Sequence, residues 1–336
     1  MLRNILYTAA VVLLFSSCKK DYDDGVIPTP VDPNAPGLIE WNKAADSSTN
    51  ALIQKFWNPS GNFFNEKNTN TNFNYWHALA MLRAFDAAND AKYRTAVEAV
   101  WADIKTGWNT TMGGGIAWRK SQMYYKNTPA NAPAAILAVR LYDRFKNPDD
   151  LAWSKKIYAW LKETLYNKST GWVYDGINSD NDGKRNESWK FTYNQGTFIG
   201  AAIGLFRTTN EAVYLSDALQ AANFTLSDNS LTNFDDNLLK DEGGGDGGLF
   251  KGVFVRYFTE LILTEGMLSS DRARYIRYLR NNATTLWNVG TDKNNLLFAS
   301  YWKNKAGAST DLTIQLSGAI LMEAAALLDK EGYFDN

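Results

Sequence analysis

The chain has one cysteine and one histidine in 336 residues. The cysteine, Cys18, closes the leading apolar segment. The body that follows can therefore form no disulfide, no zinc–thiolate site and no cysteine nucleophile. His77 alone cannot build a multi-histidine metal centre, and it would have to be the base of any Ser-His-Asp triad. No metal and no cofactor is expected. An excess of one charge is also missing: Lys and Arg total 35, Asp and Glu 36, for a formal net charge of −1. That balance argues against nucleic acid as a partner, because phosphate binding needs a basic excess. No G-x-x-x-x-G-K-[ST] run is present, so the glycine-rich stretches do not read as phosphate cradles. What remains is carboxylate, amine, phenol and amide chemistry, together with 12 tryptophans. Such a palette suits carbohydrate, since flat rings can stack on sugar faces.

Residues 1–18 read as a lipoprotein signal peptide. Arg3 supplies the charged start, and the apolar run from Ile5 to Phe15 is too short to span a bilayer. Leu14-Phe15-Ser16-Ser17-Cys18 resembles a lipobox, with Phe15 where leucine is usual, and lipid would attach to Cys18. The alternative is an ordinary signal with a chance cysteine. Residues 19–37 begin Lys19-Lys20-Asp21-Tyr22-Asp23-Asp24 and carry Pro28, Pro30, Pro33 and Pro36. They read as a stiff, acidic, disordered tether. Together the two segments predict an exported protein held at the outer membrane by lipid and facing the cell surface; a monomer is expected.

The body, residues 38–336, is patterned as an all-α domain. Apolar residues at three-to-four spacing predict about ten helices, near 39–57, 74–88, 91–107, 130–145, 150–165, 194–208, 211–228, 250–265, 271–287 and 311–329. They are of two kinds. Asn131–Tyr142, Gln195–Phe206 and Leu312–Leu328 are apolar nearly all round, which predicts burial. Ala91–Gly107, Leu151–Leu165 and Asp271–Trp287 are amphipathic. Alternation of buried and half-exposed helices predicts two concentric layers, an α/α toroid. A helical solenoid is the alternative, but no fixed-length repeat is present. The loops around Gly113-Gly114-Gly115, Gly171-Trp172, Asp241–Gly248 and Tyr301-Trp302-Lys303 lie just before the buried helices, and in a toroid they would gather at one mouth.

Five stretches carry a resemblance. They are Met112–Trp118, Tyr125–Ala132, Phe191-Thr192-Tyr193-Asn194-Gln195-Gly196, Asp246–Tyr257, and Ser309–Thr313 with Gln315–Gly318. In this order, from about Asp46 to Leu328, they resemble glycoside hydrolase family 76, the α-1,6-mannanases. The resemblance implies a six-hairpin α/α barrel that cleaves α-1,6-linked mannan internally with retention. It implies two adjacent aspartates at the start of an inner helix, one attacking the anomeric carbon and the other protonating the leaving oxygen. A retaining pair needs carboxyl groups roughly 5–5.5 Å apart.

The sequence departs from that pattern. Counting back from Trp76, the pair falls at Asn72 and Phe73, and neither can serve as nucleophile or acid. The remaining Asp-Asp pairs, Asp23-Asp24, Asp149-Asp150 and Asp235-Asp236, read as solvated turn carboxylates. About ten helices also leave a six-hairpin ring one hairpin short. An internal deletion of roughly 45–55 residues, at usual helix and loop lengths, explains both departures. The expected function is thus a catalytically impaired relative of a retaining endo-α-1,6-mannanase, or a mannan-binding lipoprotein without catalysis.

Substrate contact is expected from residues near the mouth, each weighed against a structural role. Tyr193, Asn194 and Gln195 open a buried helix, where capping and core hydrogen bonds compete with sugar contact. Asn127 and Asn131 bracket Pro129 at another helix start. Lys251 and Arg256 follow Asp246 on the helix it opens, where ion pairing with Asp246 or Glu242 is the structural alternative. Trp118 and Tyr125 flank the triple glycine and could stack on sugar or pack in the core, as could Trp302. Asp246 and Glu242 are the carboxylates on a mouth-type loop.

Overall fold

The computed structural model describes residues 75–294 and 296–334. The signal peptide, Cys18, the tether, the helix expected near 39–57, Asn72 and Phe73 lie outside the described residues. Two compact units are distinguished: residues up to Thr106 with Arg119–Ser121, and Gly107–Trp118 with Gln122 onward.

In the first unit, α1 (Tyr75–Ala88) and α2 (Ala91–Thr106) form a helical hairpin. Asn89 turns the chain with φ 50°, a conformation asparagine tolerates better than most residues. Leu79, Met81 and Leu82 of α1 and Tyr93, Val97, Val100 and Ile104 of α2 are buried, a helical-period stripe on each. Lys120 closes on Asp103 at 2.6 Å.

The second unit alternates two kinds of helix. One kind is α3 (Thr128–Phe145), α5 (Thr192–Thr209), α7 (Gly247–Ile262) and α9 (Leu312–Lys330); the other is α4 (Pro148–Thr164), α6 (Ala212–Ser227) and α8 (Ser269–Thr285). The first kind lie side by side in the order α3, α5, α7, α9, and α4 and α6 back onto α3 and α5. Burial follows: residues 194–203 of α5 are all buried, whereas α4 and α6 alternate buried and exposed positions. Close approach of the inner row depends on small residues. A side chain at Gly196 would collide with the Phe254 backbone, so α5 and α7 touch almost backbone to backbone.

Loop lengths differ between the two ends. At one end only Lys146 and Asn147 join α3 to α4, and only Asn210 and Glu211 join α5 to α6. Lys146 and Asn210 stop the inner helices in the left-handed conformation, at φ 56° and 57°. Asn147 then caps α4, with Pro148 at its start and Asp149 and Asp150 in its first turn. So short a turn sends each outer helix back along its inner partner. Every long connection therefore falls at the other end, where the inner helices begin. Two short antiparallel ribbons lie there, β1 (Lys126–Asn127) with β2 (Gly176–Ile177), and β3 (Thr232–Asn233) with β4 (Leu238–Leu239).

One expectation needs correcting. The α9 segment was expected to be buried all round, yet Leu312 is half-exposed and Leu316, Ala319 and Met322 are only partly covered. Its neighbours in this unit are α7 and α8, and they cover one side only.

Candidate functional site

The long loops are tied to one another in chain order. The loop before α3 pairs with the loop before α5 through β1 and β2. The loop before α5 meets the loop before α7 through Lys190 and Asp228 at 2.7 Å and through Thr192 and Glu242. The loop before α7 meets the loop before α9 through Ser300 donating to Asp241 at 2.8 Å and Tyr301 donating to Asp236 at 2.6 Å. A continuous polar rim results, at the starts of the inner helices.

The rim is anchored by an amide at the fourth position of three inner helices. Asn131 of α3 accepts from Ile116 N–H at 2.7 Å and donates to the Ile116 and Asn127 carbonyls. Gln195 of α5 accepts from Val173 N–H at 2.6 Å and donates to the Gly171 and Ala221 carbonyls. Gln315 of α9 accepts from Phe298 N–H and donates to the Leu296 carbonyl, both at 3.0 Å. A carboxamide carries the same donor and acceptor as a peptide group, so it can stand in for a strand neighbour. Asn131 and Gln195 are completely buried, and these bonds engage both ends of each amide. Asn127 caps α3 by accepting from Ala130 N–H at 3.2 Å. Asn127, Asn131 and Gln195 thus build the rim, joining its loops to the helix starts.

The other candidates gather around a carboxylate that sequence reasoning missed. Asp175 is buried just before β2. It accepts from Tyr125 Oη at 3.0 Å, from Tyr193 Oη, and from Asn194 Nδ2 at 3.1 Å. Asn186 donates to the Tyr125 hydroxyl at 3.2 Å. Tyr193 and Trp118 are half-buried, and the Trp118 ring meets Tyr125 edge-on at 5.5 Å. Tyr193 also packs on Phe250 of α7 at 4.0 Å. Tyr125 is thus brought together with Tyr193 and Asn194, which stand far from it in the chain. The signal available was an aspartate three residues after the Gly171-Trp172 pair, but a single aspartate in a loop carries little information.

Glu242 and Lys251 form a second cluster. Glu242 accepts from both the backbone N–H and the hydroxyl of Thr192, capping α5 from a neighbouring loop. Burial raises its carboxyl to about 7, against the pull of the Thr192 bonds and of Lys251. Lys251 is buried, donates to the Ser300 carbonyl and lies 4.6 Å from the Trp302 ring centre. Burial lowers its amine to about 8, opposed by the charges of Glu242 and Asp241. Trp302 is completely buried, so it packs in the core and offers no face to a ligand. Asp246 is exposed and does not cap α7. Arg256 lies deeper on α7, half-buried. Asp149 and Asp150 sit at the end remote from the rim, and Asp236 is held by Tyr301 and Lys303 in the turn between β3 and β4.

The model of glycosyl hydrolase family 76 matches residues 38–335, nearly the whole body. The chain belongs to this family. Its helices and their order are those of the family's α/α toroid. A GH76A α-1,6-mannanase from Salegentibacter sp. HEL1_6 is 34% identical with a TM-score of 0.78, covering 96% of this chain and 89% of that one. An inactive variant of that mannanase, with two consecutive aspartates replaced by alanine, has been solved with α-1,6-mannotetrose. The family 76 α-mannanase BT2949 of Bacteroides thetaiotaomicron shares the fold, with a TM-score of 0.75 at 19% identity. Among curated relatives, the mannan endo-1,6-alpha-mannosidase DCW1 of Saccharomyces cerevisiae is 27% identical over 133 residues, 38% of this chain. The chain matches only 30% of the length of that relative. In the family 76 frame, the rim is the end at which the glycine-rich and aromatic motifs converge.

Proposed function

We propose that this chain captures α-1,6-linked mannan at its rim and that its power to hydrolyse the polymer is impaired. One observation carries the reading. Among the described rim carboxylates, Asp175 is buried and braced by two phenols and an amide. The others are engaged elsewhere or exposed: Glu242 caps α5, Asp241 takes Ser300, Asp236 takes Tyr301, Asp311 accepts from Gly245 N–H, and Asp246 is exposed. A retaining glycosidase needs two carboxyl groups facing one bond. Asn72 and Phe73 at the expected aspartate positions support the same reading. Sugar contact then falls to Asp175, Tyr193, Trp118 and Arg256, with Tyr125, Asn127, Asn131, Asn194, Gln195 and Lys251 holding the rim in place.

The alternative is an active endo-α-1,6-mannanase, favoured by 34% identity to the Salegentibacter enzyme across almost the whole chain. Incubation with linear α-1,6-mannan separates the two. Binding without new reducing ends is the expected result, and release of oligosaccharides would reject the impaired reading. Sequencing the source DNA across codons 68–80 tests the internal deletion; an intact gene carrying the extra segment would refute it. The proposal extends to a lipid-anchored, monomeric protein on the outer surface. Labelling with a fatty-acid analogue should mark the wild-type chain, and Cys18→Ser should abolish the label.

A further inference from the structure

Two of the described tryptophans are exposed, Trp189 at 46% and Trp287 at 44%. Trp287 is covered in its own way, with the Lys293 ammonium 3.0 Å from its ring centre. Trp189 is bare: among the described residues its indole meets no other ring, no cation and no hydrogen-bond acceptor. Tryptophan is highly buried on average, so a ring left open to water asks what it is kept for.

The backbone on either side of Trp189 is pinned. Three residues before it, the chain forms the outermost strand of the ribbon that carries β1 and β2: Arg185 bridges to Ile177, and Asn186 N–H donates to the Gly176 carbonyl at 2.9 Å. The Asn186 side chain reaches the Tyr125 hydroxyl, which donates to Asp175. Immediately after Trp189, Lys190 pairs with Asp228 at 2.7 Å and lies 4.9 Å from the Trp172 ring centre. Three residues span at most ~11 Å of chain, so Trp189 stands within that reach of Asn186 and hence beside the Asp175 cluster. Its surroundings are hydrophilic: Lys184, Arg185, Glu187 and Ser188 are all exposed. A protein partner or a lipid surface calls for a contiguous apolar patch. A single flat ring among charges and hydroxyls matches instead a ligand with one apolar face and a polar edge, which is the make-up of a pyranose.

We infer that Trp189 is an outlying stacking platform, taking the C–H face of a mannose unit beyond those held at the Asp175 cluster. An indole brings a large flat area on only two rotatable bonds, and the anchors on both sides remove most of the remaining ordering cost. This inference rests on the mannan-binding reading and deepens it, because it makes the chain a reader of polymer length.

The test uses the whole mature chain, titrated calorimetrically with α-1,6-mannobiose and α-1,6-mannohexaose and melted in parallel, for the unsubstituted protein, Trp189→Ala and Trp189→Phe. Trp189→Ala should bind the hexaose about tenfold more weakly, the size of one aromatic contact, and the biose almost as before. Trp189→Phe keeps a flat ring and should retain most of the hexaose affinity. The melting temperature should not move, because the ring packs on nothing. Unsubstituted affinity for both sugars in Trp189→Ala overturns the inference and leaves the mannan reading intact. An equal loss for both sugars overturns it too, since the residue would then serve the central units. A clear drop in melting temperature for Trp189→Ala would make the residue structural and likewise overturn it. Binding to phosphatidylethanolamine vesicles that Trp189→Ala abolishes, with sugar affinities unaltered, would make the ring a membrane contact instead. No binding of either sugar by the unsubstituted chain would remove the mannan reading and this inference together.

Discussion

At the scale of single residues, the chemistry turns on which polar groups are already committed. Asp175 has three donors converging on it from two elements. Replacing it with asparagine leaves the shape but sets an N–H against a phenol or amide donor. Asp175→Asn should therefore destabilise the chain by ~1–3 kcal/mol in denaturant unfolding and weaken mannotriose binding. Tyr193→Phe removes a single donor, so a smaller loss of ~1 kcal/mol is expected, with weakened sugar contact. The sequence pointed to Tyr125, Tyr193 and Asn194 through their motifs, yet the aspartate they serve was invisible. Nothing in its neighbours along the chain distinguishes it from a solvated turn residue.

Between elements, the amides that hold loops to helix starts carry a measurable share of stability. Gln195→Leu would strand one buried N–H and leave two carbonyls without their donor. A loss of ~3 kcal/mol, read as a lower denaturant midpoint, is expected from unmet backbone groups at ~1–3 kcal/mol each. The Glu242–Lys251 pair gives the junction of α5 and α7 a pH signature. Burial raises Glu242 from its ordinary 4.5 to about 7, so the folded chain holds this proton more tightly than the unfolded one. Stability from this group therefore falls as pH climbs from about 4.5 to about 7. Lys251 is lowered from 10.5 to about 8, so the unfolded chain holds more protons between those values and stability recovers as pH rises through them. The stability of Glu242→Gln relative to wild type should improve steadily from pH 4.5 to 7 in matched unfolding titrations. A pH-independent difference would contradict the burial of that carboxyl. Helix ends were legible from the sequence because Asn147, Pro148 and Asp149 are local signals. The amide clamps were not, because Asn131, Gln195 and Gln315 follow no fixed sequence period and find partners in distant loops.

Across the inner row of helices, one ion pair joins elements that are not neighbours. Arg140 of α3 reaches over α5 to Glu260 of α7, and both side chains are largely buried. Glu260→Gln would leave Arg140 and Arg207 without their carboxylate. A loss of about 3–5 kcal/mol is expected, as for other broken buried pairs, visible as a lowered melting temperature. Hydrophobic periodicity and composition by themselves determined the helical class, the positions of the nine helices among the described residues within a few residues, and, apart from α9, the division into buried and half-exposed kinds. These follow from the 3.6-residue repeat, which any local stretch displays. The motifs along the chain determined the family. Only the tertiary structure decided which of the motif residues have their polar groups committed to the scaffold. An asparagine that caps a helix and one that contacts a sugar are the same residue in sequence. They differ only in whether a backbone group from a distant loop has come close enough to occupy the amide.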